Sequence, residues 1–119
     1  MSEIKGNVEL VSPPKSRGDA VLASVRGEVD LHNSPELRAA LLAILNKALP
    51  KKLVLNLAQV PYMDSSAVAV LVEVLQKLRR AGGRLMLSAL QPRVKGLLEI
   101  ARLDSIFVLT DSDEAALAK

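Results

Sequence analysis

Apolar residues crowd together in Leu53-Val54-Leu55-Asn56-Leu57, with the near-continuous hydrophobic character of a strand covered on both faces. Pro61 closes this strand, because a residue without an N–H cannot continue a central ladder. The period then changes. Val68, Leu71, Val72, Leu75 and Leu78 recur at helical spacing and predict a helix from about Ser65 to Arg80 that buries one stripe. Asp64, Ser65 and Ser66 stand at its start, and their side-chain oxygens are of the kind that accept the orphan N–H groups of a helix N-terminus. Two hydroxyls therefore fall at the carboxyl end of a buried strand, where open α/β sheets place their sites.

The same reading extends over the rest of the chain. Asn7 to Leu10 alternates polar and apolar residues, which predicts a half-exposed edge strand. Pro13 to Asp19 reads as a loop by its Pro and Gly content. Ala20 to Arg26 is a second strand, able to pair antiparallel with the first. Ser34 is a good N-cap, with Pro35 at the first helical position and Leu37, Ala40, Leu41, Ile44, Leu45 and Ala48 as the inward stripe; Pro50 ends this helix. Lys52 to Leu57 is strand three. In the following helix Glu73 and Lys77 lie four apart in the favoured order. Gly82-Gly83 stops that helix, and Arg84 to Ala89 is strand four. Pro92 starts a helix whose Val94, Leu97, Leu98 and Ala101 face inward. Ile106 to Leu109 is strand five, and Asp111 with Glu114 has capping-box spacing for a short terminal helix.

Alternation of strands and helices from the second strand onward predicts an α/β fold. Right-handed crossovers make the sheet mostly parallel, with about five strands, an antiparallel edge strand and about four helices. No linker or internal repeat divides the sequence, so residues 1–119 are expected to form a single domain. In parallel strands the strand-to-helix turns share one edge. The turns at Glu28–Asn33, Pro61–Ser65 and Leu90–Pro92 should meet there, with Glu28, Asp30, His32, Asn33, Asp64, Ser65 and Ser66 as a polar rim.

Composition narrows the chemistry. Half of the 119 residues are hydrophobic but only 2% are aromatic, so the core is aliphatic. The absence of cysteine removes disulfides, thiolate catalysis and Cys-based zinc sites together. No apolar run approaches the roughly 18 residues of a membrane span. Met1-Ser2-Glu3-Ile4-Lys5 lacks signal-peptide character, so a cytoplasmic location without membrane insertion is the expectation. The net charge of +3 comes from cations scattered along the sequence, and Tyr62 and Phe107 are the only aromatic rings. Direct nucleic-acid binding is therefore not expected.

Catalysis needs a nucleophile, a base and an orienting group. The rim brings the single histidine, His32, toward Ser65 and Asp64 by topology alone, and the Gly-x-Ser-x-Gly elbow is absent. One histidine with scattered carboxylates offers no metal-ligand spacing. Gly82-Gly83 precedes a strand and lacks the lysine and hydroxyl of a phosphate loop, and no dinucleotide fingerprint is present, so no cofactor is expected. The serine pair remains. It is either a plain helix cap or a phosphoacceptor, whose phosphate would add about −1.5 to −2 charge at neutral pH. Periodicity does not separate Ser65 from Ser66.

The stretch from Leu53 through Tyr62-Met63-Asp64-Ser65-Ser66 resembles the phosphorylation segment of bacterial STAS domains of the anti-sigma factor antagonist family. Arg26-Gly27-Glu28-Val29-Asp30 followed by Ser34-Pro35-Glu36-Leu37 is similar to a second block of that family, as are Gly82-Gly83-Arg84-Leu85 and Pro92 to Leu98. The resemblance spans about Val8 to Leu117. It implies an antagonist without catalytic activity. Unphosphorylated, it would bind a serine-kinase anti-sigma factor and so release a sigma factor; a separate serine phosphatase would reverse its phosphorylation. By the same resemblance Ser65 is the phosphoacceptor, and Glu28, Asp30, Asn33, Asp64, Ser65 and Ser66 form the partner-binding rim. Ala67 stands where the family usually has glycine, and its methyl is expected to narrow the approach of a kinase. The other roles the resemblance allows are an accessory subunit of an ABC-type lipid transporter and a stressosome-like scaffold component.

Overall fold

The computed structural model describes residues 9–119, and among them five strands and four helices follow one another as predicted. The elements are β1 (Lys15–Arg17), β2 (Ala20–Arg26), α1 (Ser34–Lys47), β3 (Lys52–Gln59), α2 (Ser65–Arg80), β4 (Arg84–Ser88), α3 (Pro92–Ile100), β5 (Val108–Thr110) and α4 (Asp113–Ala118). The strands lie in the order β1-β2-β3-β4-β5. Only the β1–β2 pair is antiparallel. Because each crossover moves to the next strand in the same direction, right-handedness stacks α1, α2 and α3 on one face of the sheet.

Two apolar clusters, one on each face, explain the unbroken hydrophobic run of β3. Leu53, Leu55 and Leu57 pack under the crossover helices with Leu85 and Leu87 of β4. Val54 points the other way and meets Met86 and Ala116 beneath α4. Leu53, Val54 and Leu55 are all fully buried, as a central strand covered on both sides requires.

Several details depart from the sequence expectations. Asn7 and Val8 lie outside the described residues, and the edge strand is Lys15–Arg17, inside the stretch read as a loop. Gly18, at φ 63°, makes the tight turn into β2. Leu10 to Ser12 does run antiparallel to β2, through the Val11–Val25 bridge, and Pro13-Pro14 separates the two pairings. Asn33 rather than Ser34 occupies the N-cap of α1, and Ser34 is buried as its first residue. Ser112 rather than Asp111 caps α4, accepting a hydrogen bond from the N–H of Ala115. Ala48 and Ala101 are exposed at the ends of their helices, where the stripe has rotated off the sheet. In α2 the buried stripe is Ala67, Val70, Leu71, Val74, Leu75 and Leu78, with Val68 and Val72 only half-buried at its flank. Glu73 forms a two-pronged ion pair with Arg38 of α1 at 2.7 and 2.8 Å, so it clamps two helices together, and the charge of Lys77 adds a lesser attraction within α2.

α2 and α3 end in the same motif with different residues. In α2 the N–H of Gly83 donates to the carbonyl of Leu78 and that of Gly82 to Arg79. In α3 the N–H of Leu103 donates to Leu98 and that of Arg102 to Glu99. Both are Schellman closures, which need a left-handed residue just past the cap. Gly82 supplies it at φ 81°, whereas Arg102 is held at φ 61°. Gly83 is constrained differently, because a Cβ there would lie 2.9 Å from the carbonyl oxygen of Pro50.

Opposite effects are expected at these two helix ends. Arg102→Gly should stabilise the fold by about 0.5–1 kcal/mol through relief of left-handed strain. Gly83→Ala should destabilise it by about 1–3 kcal/mol through overpacking against backbone. Leu55→Ala should cost about 2–5 kcal/mol as a buried cavity. Urea unfolding of the three variants checks the signs and the order.

Candidate functional site

The site is built where β2 and β3 run past the sheet and touch again. Beyond the left-handed Gly27, the N–H of Val29 donates to the carbonyl of Tyr62 at 3.0 Å and that of Asp64 to the carbonyl of Val29 at 3.1 Å. The Val29–Met63 bridge is sealed below by both side chains, which are 0% and 2% exposed. Burying these two residues turns their neighbours outward. The β2–α1 loop and the β3–α2 turn are thereby fixed side by side, and Gln91 ties the third turn in by donating to the carbonyl of Ala58. The three turns share one edge, as the connectivity predicts.

Asp64 is the N-cap of α2 and uses both carboxylate oxygens. Its Oδ1 accepts from the N–H of Ser66 at 2.9 Å, from the Ser66 hydroxyl at 2.6 Å and from the N–H of Ala67 at 3.2 Å. Its Oδ2 accepts from the N–H of Leu31 at 3.0 Å, across the gap between the loops. One side chain therefore starts the helix and pins the neighbouring loop to it. These donors hold the Asp64 carboxyl below its ordinary range. The Ser66 hydroxyl contributes most, followed by the N–H groups of Ala67, Ser66 and Leu31, while partial desolvation pulls the other way.

The two serines are no longer equivalent. The Ser66 hydroxyl is engaged by Asp64 and half-buried, while Ser65 is exposed and its hydroxyl makes no hydrogen bond with the described residues. Ala67 is fully buried, so its methyl packs into the core and does not face an approaching protein, contrary to the sequence expectation.

The other rim residues divide by duty. Asn33 accepts from the N–H of Asp30 and donates to the carbonyl of Glu28, both at 2.9 Å. Asp30 accepts from the N–H of His32 at 2.9 Å. Asp30 and Asn33 thus fold their own loop, and Glu28 is left as an exposed carboxylate on it. Among the described residues no hydrogen bond joins the His32 ring to either serine, and no cluster of His, Asp and Glu has the makings of a metal site. No helix there is long and apolar enough to cross a membrane.

The pattern reading missed an apolar flank. Tyr62, Met63, Pro92, Arg93, Leu97 and Ile100 line a shallow groove beside the turn, with the Arg93 guanidinium 4.9 Å from the centre of the Tyr62 ring. Leu31 is 74% and Ile100 86% exposed. The available signal was Leu31 itself, a large apolar residue between Asp30 and His32 in the β2–α1 loop.

Residues 12–116 match the family model described as the STAS domain. The chain is 35% identical over 98 residues to BtrV of Bordetella bronchiseptica, which carries the provisional name anti-sigma factor antagonist; the match covers 82% of this chain and 84% of that one. It is 27% identical over 100 residues to the anti-sigma-B factor antagonist of Bacillus subtilis, covering 84% and 90%. An anti-sigma factor antagonist from Mycobacterium paratuberculosis superimposes with a TM-score of 0.80 at 25% identity, over 91% of this chain and 92% of that one. The chain belongs to the STAS-domain family.

Because the Asp64 carboxyl titrates lower when folded, its stabilisation is complete above the ordinary carboxylate range and is lost as pH falls through the folded value. The thermal midpoint should therefore fall on acidification, and Asp64→Asn, which keeps a capping oxygen but cannot titrate, should show a shallower fall. Parallel curves for the two proteins would remove Asp64 from this role.

Proposed function

We propose that the chain is an anti-sigma factor antagonist that binds a serine-kinase anti-sigma factor through the rim at the carboxyl edge of the sheet and is switched by phosphorylation of Ser65. The observation that carries the reading is the division of labour within Asp64-Ser65-Ser66. Asp64 and Ser66 are spent on the helix start, and Ser65 offers an exposed hydroxyl beside them. The names of the relatives in Bordetella and Bacillus support the same role.

Electrostatics suits a switch that leaves the scaffold intact. A phosphate at the first residue of α2 gains roughly 0.3–1 kcal/mol from the helix dipole. The carboxylates of Glu28 and Asp30 stand on the adjoining loop, so the modified rim becomes strongly negative. Like charges set against each other at an interface cost several kcal/mol, and each 1.4 kcal/mol is about tenfold in affinity. Leu31 and the Tyr62–Ile100 groove supply the apolar contact such an interface needs at its centre.

Incubation with ATP and the cognate kinase anti-sigma factor should place one phosphate on Ser65, as read by peptide mass spectrometry. Ser65→Ala should abolish it and Ser66→Ala should keep it. Phosphorylated protein should bind the kinase at least about 100-fold more weakly, and a serine phosphatase should restore binding. Phosphate on Ser66, or unchanged affinity after modification, would overturn the reading.

A further inference from the structure

The far face of the sheet, opposite the crossover helices, is only partly covered. α4 is six residues long and packs on β3, β4 and β5, and among the described residues no helix lies above β1 and most of β2. Cross-strand partners share a face. Lys15 pairs with Leu22 and Arg17 with Ala20, while Lys52 pairs with both Ala20 and Arg84, so all of these positions belong to the far face.

Two of the cations are occupied. Lys52 donates to the carbonyls of Ala116 and Leu117 at 3.1 Å each, and Arg84 to that of Lys119 at 3.0 Å. Both neutralise the carboxyl end of α4. Lys15, Arg17 and Arg26 have no such duty. All three are exposed and make no ion pair or side-chain hydrogen bond with the described residues. Together with Leu22, Ser24 and Asp113 they line an open cleft. Asp113 is the one acid among these lining residues, and its Oδ1 already accepts from Asn56 at 3.2 Å and from the Ser88 hydroxyl.

We propose that this cleft is a second interaction surface, distinct from the rim, that takes an extended acidic segment of a partner protein. The spacing argues for an extended occupant. Lys15 and Arg17 are two residues apart on one strand, about 6.7 Å, and Arg26 lies four residues beyond Leu22, about 13 Å. Alternate side chains of an extended peptide repeat at that same interval, so carboxylates at every second residue meet the cations in register. Leu22 gives the cleft a half-buried apolar floor between them. Single-stranded nucleic acid fits less well, because the aromatic rings that stack bases are missing: Phe107 is buried and Tyr62 lies at the other site. An anionic membrane also fits less well, since no amphipathic helix presents the charges.

The test is fluorescence anisotropy of the full chain with a labelled short peptide carrying glutamate at alternate positions. Its glutamine counterpart, phosphatidylserine vesicles and duplex DNA serve as competitors. The glutamate peptide should bind at least about tenfold more tightly than the glutamine one. The Arg17→Glu/Arg26→Glu double variant should weaken it by a similar factor, with an unchanged thermal midpoint. Raising the salt from about 50 to about 500 mM should weaken it further. Ser65→Ala should leave this binding as it is, which separates the result from the fate of the phosphorylation reading. Equal affinity for the glutamine peptide or undiminished binding by the double variant would overturn the proposal. So would stronger displacement by vesicles or DNA than by unlabelled glutamate peptide, which would assign the face to lipid or nucleic acid.

Discussion

The site depends on one carboxylate that cannot be spared. Asp64 satisfies orphan N–H groups at the start of α2 and, through its other oxygen, the N–H of Leu31 on the neighbouring loop. A helix start without such a cap leaves donors unsatisfied, and a loop without such a tie is free to drift. Together with the Val29–Met63 bridge, that pair of attachments places the first turn of α2 beside the β2–α1 loop. The positions of Ser65 at the helix start and of Leu31 across the gap follow from it.

Below that edge the sheet acts as a rigid platform. β3 is buried on both faces, and its neighbours β2 and β4 run parallel to it in unbroken register over Leu53 to Leu55. A packed interior of this kind is close to incompressible. A charge added at the rim therefore changes the surface potential far more than the shape beneath it.

How much was legible in the sequence follows from how local each signal is. β3 and α2 were readable to within a few residues because apolar run, proline, cap and helical stripe all occur in sequence order. β1 was not, because Pro13-Pro14 and Gly18-Asp19 disguise a three-residue strand as a loop, although a Gly-Asp pair between two short runs is itself a hairpin signal. Adjacent capping residues such as Asn33 and Ser34, or Asp111 and Ser112, carry the same chemistry, and only the backbone angles of the finished turn choose between them. The rim could be assembled from connectivity. Its internal wiring could not, since the contact of Asp64 with Leu31 spans 33 positions and Glu73 found Arg38 across 35. Ser65 and Ser66 were indistinguishable by pattern for a different reason: what separates them is a local hydrogen bond, Ser66 to Asp64, and both serines are residue types able to make it.

That separation bears on how such a chain can change over generations. The hydroxyl of Ser66 belongs to the architecture, while that of Ser65 belongs only to the surface. Replacement at 66 disturbs the helix start, so it is visible to selection through folding. Replacement at 65 is silent in the scaffold and is felt solely by whatever molecule meets the rim. On the reading proposed above, one codon separates a regulated antagonist from a permanently active one. Lineages can cross that line without first having to rebuild the domain.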